Sequence, residues 1–319
     1  MAATHTTLKG FSQIGHSLIS TQLETNLAQL FSWGLLNKGG FHNIEIPTSG
    51  VYGGNKHRLK AVDHPNYTDG QVWDGFRGNW IWESGLEYSP APIRISGVNV
   101  GSTFHAIGAT GYTINYPMGR VIFTNAIPTT STVTVAHSVR WADFWSASKA
   151  PWFQHLFNNT DRVDHTQFHQ FGSGVYNILR ENRVELPAVV VEAVPRTYWQ
   201  GKQLGGGHIM FQDVEFHVFA QNKWERDQLK DILTMQIDKK FFMFDVNNVD
   251  ASGAWLNSDG NIASGTKVYE KWVDVPASGG FRYKEFRIDN VSASELMKPY
   301  DGLWTATVRT TLEVDMPEV

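Results

Sequence analysis

The feature that most narrows the possible folds is a series of short segments between residues 93 and 139. IRISGVNV (93–100), YTINY (112–116), RVIFTNAI (120–127) and TVTVAHSV (132–139) are each rich in β-branched or aromatic residues. All are too short for amphipathic helices, and turn-forming residues separate them, which is the pattern of consecutive strands. Pro117-Met118-Gly119 lies between the second and third segments and suits a compact turn, so 112–127 reads as a hairpin. In TVTVAHSV, strict alternation places Val133, Val135 and His137 on one face and Thr134, Ala136 and Ser138 on the other. Short strands at this spacing predict a β-rich sandwich-like domain or small barrel over 41–150.

The flanks differ. SLISTQLETNLAQLFSWGLL places Leu18, Ile19, Leu23, Leu27, Leu30 and Phe31 at helical spacings, and Gly39-Gly40 follows as a stop, so 1–40 reads as an N-terminal helical segment. Residues 151–182 read as a connector that is helical in part and ends in glycines. From 183 to 319 the pattern is strand, strand, helix, strand, strand. RVELPAVVVEAV and FQDVEFHVFA precede NKWERDQLKDILTMQ, whose Leu229, Ile232 and Leu233 form an inward stripe. Asn222 followed by Glu225 is a capping-box spacing. KFFMFDV (240–246) returns to strand, and in WTATVRTTLEV (304–314) Trp304, Ala306, Val308, Thr310, Leu312 and Val314 share one face. The overall expectation is α+β, with the β-rich unit joined to a small antiparallel sheet that carries one packed helix.

Composition then removes several classes of function. There are no cysteines, which excludes disulfides, thiolate metal sites and cysteine nucleophiles. A net charge of −4, with Lys and Arg scattered, argues against a dedicated nucleic-acid surface. MAATHTTLKG lacks the order of a signal peptide, and no apolar run approaches the roughly 20 residues of a membrane span, so a soluble protein or assembly is expected. Twelve Trp, 19 Phe and 10 Tyr supply far more aromatic surface than catalysis needs and favour strands and subunit contacts.

No catalytic, cofactor-binding or metal-binding residue is nominated. QLGGGHIMF (203–211) has the glycines of a phosphate or oxyanion loop, but an alternating strand follows them and no Gly-x-Ser-x-Gly is present, so they read as a connection between strands. Asp161, Asp164, His165 and His169 have metal-like spacing but lack the Glu of His-Glu-x-x-His, and read as polar side chains on a connecting helix. DGFRGNWIWES (74–84) combines aromatics with charge and is either an interface patch, a ligand platform or a corner of the core holding an internal ion pair. The interface candidates are therefore Phe76, Arg77, Trp80 and Trp82, together with Gly205, Gly206, Gly207 and His208.

GQVWDGFRGNWIWESGLE (70–87), INYPMGRVIFTNAIP (114–128), ELPAVVVEAVP (185–195) and QLGGGHIMFQDVEFHVFAQNKWERDQLKDIL (203–233) together resemble virion structural proteins of tailed bacteriophages. Among these, the segments are similar to neck, tail-completion and tail-terminator-like proteins. The resemblance implies a non-enzymatic virion protein, assembled in the host cytoplasm and placed at the head–tail junction. It implies a homo-oligomeric ring, hexamer or dodecamer, contacting other neck, connector and tail proteins, with DNA only passing through the channel and no membrane partner. It also implies that 183–319 is a tail-terminator-like domain. The long β region before it departs from that family and leaves neck, tail end and an accessory layer open. A carbohydrate- or receptor-binding baseplate module is the alternative that the abundance of Trp supports.

Overall fold

The computed structural model describes residues 19–47, 55–150, 152–153, 184–202, 207–244, 246, 255–256, 259–262, 285–294 and 302–316. In chain order its elements are α1 (Ile19–Leu36), β1 (Phe41–Ile44), β2 (Arg58–Ala61), β3 (Val72–Asp74), β4 (Gly97–Val100), β5 (Thr103–Ala106), β6 (Tyr112–Asn115), β7 (Arg120–Phe123), β8 (Val133–Thr134), β9 (His137–Arg140) and β10 (Asp143–Ser146). After the connector come β11 (Ala188–Gly201), β12 (His208–Ala220), α2 (Lys223–Thr234), β13 (Lys240–Phe242), β14 (Glu285–Ser294) and β15 (Trp304–Met316). The fold is β-rich α+β, as expected.

The first unit is one sheet of seven strands in the order β5-β4-β8-β2-β3-β7-β6, all pairs antiparallel. The hairpin of β6 and β7 forms with Tyr112 opposite Phe123 and Asn115 opposite Arg120. Val98 near one end of the sheet and Ile114 near the other share a single core with Trp73, Val121 and Val133, so the sheet curls around its own apolar face. This curled sheet stands where a sandwich-like domain or small barrel was expected. TVTVAHSV also breaks into two pieces. β8 pairs with β2 and β4, whereas β9 leaves the sheet and pairs with β1. Val133, Thr134, Val135, His137, Ser138 and Val139 are all buried, so neither face of that segment is a solvent face.

The second unit is a six-stranded sheet, β10-β11-β12-β15-β14-β13, antiparallel except for the β10–β11 pair. α2 forms as its sequence dictates: the Asn222 side chain accepts from Glu225 N at 2.9 Å, and Leu229 and Leu233 are buried with Ile232 half-buried. The alternation of β15 also holds, with Ala306, Val308, Thr310, Leu312 and Val314 buried.

Two elements belong elsewhere than their position in the chain implies. α1 packs on this second sheet, with Leu23, Leu27 and Phe31 in one core with Val191, Phe216, Val308 and Leu312. Its other side is buried too. The Asn26 amide donates to Phe244 O at 3.0 Å and accepts from Phe244 N at 2.9 Å, while Gln22 Oε1 accepts from Val246 N at 2.9 Å. These amides satisfy backbone groups that burial would otherwise leave bare. β10, inside the range expected for the first unit, pairs in parallel with β11 from Asp143 opposite Ala188 to Ser146 opposite Val191. The 41–150 and 183–319 ranges are thus cross-connected: α1 and β10 complete the C-terminal sheet.

Candidate functional site

The glycine run closes a hairpin. β11 and β12 pair out to Gly201 opposite His208, and Lys202 N donates to Gly207 O at 3.2 Å. Gly207 has φ +87°, a conformation that favours glycine at this turn; Gly205 and Gly206 lie outside the described residues. β12, not a helix, follows, so no helix N-terminus converges on an anion here.

A register shift between Ala193 and Thr197 bends β11 away from the body of the sheet. Gln212 fills the bulge, donating from its amide to Val194 O and accepting from the Thr197 hydroxyl. Beyond it β11 no longer pairs with β10 and forms the sheet edge against β12, which itself pairs with β15 out to His208 opposite Met316; this outer stretch of β11 and β12 is the arm. Tyr198 stacks on Phe211 with ring centroids 4.6 Å apart, yet Tyr198 and Trp199 remain 49% and 52% exposed. His208, also exposed, meets the edge of Trp199 at 6.3 Å.

The 74–84 segment resolves into a corner of the core with an internal ion pair. Trp80 is 1% exposed, its indole N–H donates to Arg77 O at 3.0 Å, and its ring packs on His137 at 4.5 Å. Trp82 is half-buried. Of the four candidates here, Phe76 alone presents its ring to solvent, 45% exposed, with Lys56 Nζ 5.2 Å from the ring centroid. Arg77 bridges the two units: its Nε lies 3.4 Å from Glu185 Oε2 and its Nη2 donates to Trp141 O at 3.3 Å. Gly78 N donates to both Glu185 oxygens, at 2.7 and 2.9 Å. A Cβ on Gly78 would stand 2.8 Å from Pro117 O, so glycine allows this approach. As a contact surface for a neighbour, Trp80 is withdrawn; it holds this corner together.

Beside this seam lies a cleft of about 340 Å³, walled by α1, residues 79–83, β10 and the side chains of Phe244, Val246, Trp255 and Leu256. Trp82, Trp145 and Trp255 line it together with Glu83, Arg140 and Asp143. Arg140 pairs with Glu83 and donates to Ser32 Oγ at 2.9 Å. Asp143 is the unusual member. It is buried, and neither carboxylate oxygen has a hydrogen bond of ordinary geometry. Burial pushes its pKa up to about 7; Glu185 adds to the rise, while Arg77, Arg140 and the nearby Asn79 side chain oppose it. A carboxyl group poised there can exchange a proton near neutral pH, but among the described residues no activated nucleophile accompanies it.

A comparison with protein-family models finds no match, and a comparison with curated proteins finds none either. The functional reading therefore rests on the residues themselves. The His165–His169 pair, with Asp161 and Asp164, lies outside the described residues. Asp143 carries no signal in the sequence, because WADFWS resembles any aromatic strand and the burial comes from α1, β11 and the seam. Among the described residues no helix is long and apolar enough to cross a membrane.

Proposed function

We propose that this protein is a non-enzymatic structural subunit of a tailed-bacteriophage virion, a ring-forming component of the head–tail junction in the manner of neck and tail-terminator proteins. The observation that carries the reading is the β11–β12 arm. It exposes Tyr198 and Trp199, neighbours on β11 and so on its opposite faces, 49% and 52% open among the described residues. Large exposed aromatics on an edge strand cost solvation free energy in a lone subunit and are characteristic of contact surfaces. The order strand, strand, helix, strand, strand around α2 accords with the tail-terminator resemblance, while α1 adds a second helix to the same mainly antiparallel sheet. In this reading the arm and Phe76 meet neighbouring subunits or neck and tail proteins, in head-to-tail contacts that close into a ring.

Light scattering behind a sizing column tests the proposal. A discrete species of about six or twelve subunits is expected, from closed cyclic symmetry. A monomer at all concentrations, together with failure to join purified tail or neck particles, is the result that defeats it.

A second reading, a carbohydrate- or receptor-binding module, is favoured by the cleft, whose four tryptophans, Trp80, Trp82, Trp145 and Trp255, and buried carboxyl suit a small polar ligand. Because α1, Phe244, Val246, Trp255 and Leu256 contribute to its walls, the whole chain is needed for the test. Tryptophan fluorescence unchanged across a glycan panel counts against it.

A further inference from the structure

At the base of the arm, three side chains from two strands converge on one face of the six-stranded sheet. Glu192 on β11 is directly opposite Glu215 on β12. His217, two residues along β12, points to the same face as Glu215. Glu192 Oε2 lies 2.8 Å from His217 Nε2, and Glu215 Oε2 lies 3.8 Å from the same nitrogen. One donor atom from each residue falls within 4.8 Å of the other two.

Like charges opposite one another on neighbouring strands destabilise a sheet unless a positive charge stands between them. Arg309 on β15 meets one side of this pair, its Nη2 2.9 Å from Glu215 Oε1. Glu215 Oε2 and Glu192 Oε2 are left facing the imidazole. A second observation lies on the next strand. Thr307 is the cross-strand partner of His217, and its Oγ1 is buried with no hydrogen-bond partner. A buried hydroxyl without a hydrogen-bond partner, at the strand position facing His217, leaves polar capacity unmet next to the cluster, as ligand-binding sites do.

The geometry points to a binding site for a divalent first-row transition cation, such as Zn²⁺, held by Glu192, Glu215 and His217. With metal–ligand bonds of about 2.1 Å in tetrahedral geometry, donor atoms stand about 3.4 Å apart. The separations of 2.8 and 3.8 Å bracket that value, so small movements of the rotatable glutamate ends bring each carboxylate to that distance from the imidazole. One imidazole with two carboxylates suits Zn²⁺ or Mn²⁺ better than soft ions. Binding replaces whatever proton His217 Nε2 shares with Glu192 Oε2; that proton leaves to solvent and both atoms turn to the metal. Phe153, 4.9 Å from the imidazole, walls one side of the site. Glu192 immediately precedes the bulge at Ala193, so the bound cation clamps β11 to β12 where the arm departs. This inference does not depend on the assembly reading.

Titration calorimetry of the full chain with Zn²⁺ alone at pH 7 tests it, alongside thermal melts with and without the ion. One bound equivalent is expected, with a Tm that rises on saturation. Glu192→Gln, half-exposed and so tolerant of substitution, is expected to weaken binding about tenfold or more and abolish the Tm rise, since even outer-shell changes cost this much. Glu215→Gln serves as a second variant, and Glu87→Gln, remote from the cluster, is expected to bind as wild type. No saturable binding below about 1 mM, or binding in both site variants equal to that of wild type, overturns the proposal; the weakest affinity worth the name corresponds to about that concentration.

Discussion

Asp143 is the residue whose environment makes the sharpest demand. Its carboxyl rises from the ordinary 3.8 to about 7 because folding removes it from water faster than Arg77 and Arg140 compensate. The folded protein therefore holds this proton more tightly than the unfolded chain. The contribution to stability is full below the ordinary carboxylate range, falls as pH rises toward 7, and levels off above it. At about 1.4 kcal/mol per pK unit, the loss amounts to a few kcal/mol. Asp143→Asn keeps the shape of the neutral acid, so its Tm is expected to match wild type near pH 4 and exceed it at pH 8. Melts at pH 4, 6 and 8 decide the matter; parallel profiles for the two proteins would contradict the assignment. Glu24, pushed up by burial although Ala193 N and Ser148 hydrogen-bond to it, adds a smaller slope of the same sign.

Elements in this protein separate core aromatics from contact aromatics in a way that residue type does not. The arm beyond the bulge carries Trp199 half in solvent, whereas β3 and the segment after it bury Trp73 and Trp80 almost completely. Trp199→Ala is expected to leave folding within about 0.5 kcal/mol of wild type, the usual range for surface changes, and to reduce the oligomer that light scattering detects. Trp80→Ala is expected to cost about 3–5 kcal/mol, as truncation of a buried Trp does, because it also empties the space beside His137 and removes the bond to Arg77 O. Denaturant unfolding for stability and scattering for assembly separate the two. Equal effects of both variants on stability would mean that Trp199 is packed rather than presented.

At the scale of the molecule, the two sheets keep distinct apolar cores among the described residues, and polar contacts cross between them. The cores around Trp73 and around Val214 are distinct, and Glu185 crosses between the units to accept from Gly78 N and pair with Arg77. Breaking a largely buried pair leaves the remaining charge uncompensated. Glu185→Ala is expected to cost about 2–4 kcal/mol, somewhat below the range for fully buried pairs since both partners keep some water contact. It is also expected to split a single urea transition into two, as the sheets lose their coupling. A single transition shifted as a whole would show that β10 and α1, which physically interleave the units, dominate the coupling.

What the sequence by itself determined is what local periodicity and local chemistry specify. The Asn222 cap and inward leucines of α2, the hairpin across Pro117-Met118-Gly119, the alternation of β15 and the glycine run as a strand connection all depend on residues a few positions apart. Tertiary structure decided the rest. Nothing local tells α1 which sheet to cover, and its buried Gln22 and Asn26 make sense only once Phe244 and Val246 lie against them. β14 escaped notice because the register shift between Ile288 and Asn290 interrupts its alternation. TVTVAHSV reads as one strand but serves two sheets, since Val135 N turns to His57 O where the chain crosses over. Glu192 and Glu215 are 23 residues apart in the chain and face one another only through strand pairing. Trp80 and Trp199 are the same residue type in similar surroundings in the sequence; which one is core depends on long-range packing, whose free energy no short window of sequence contains.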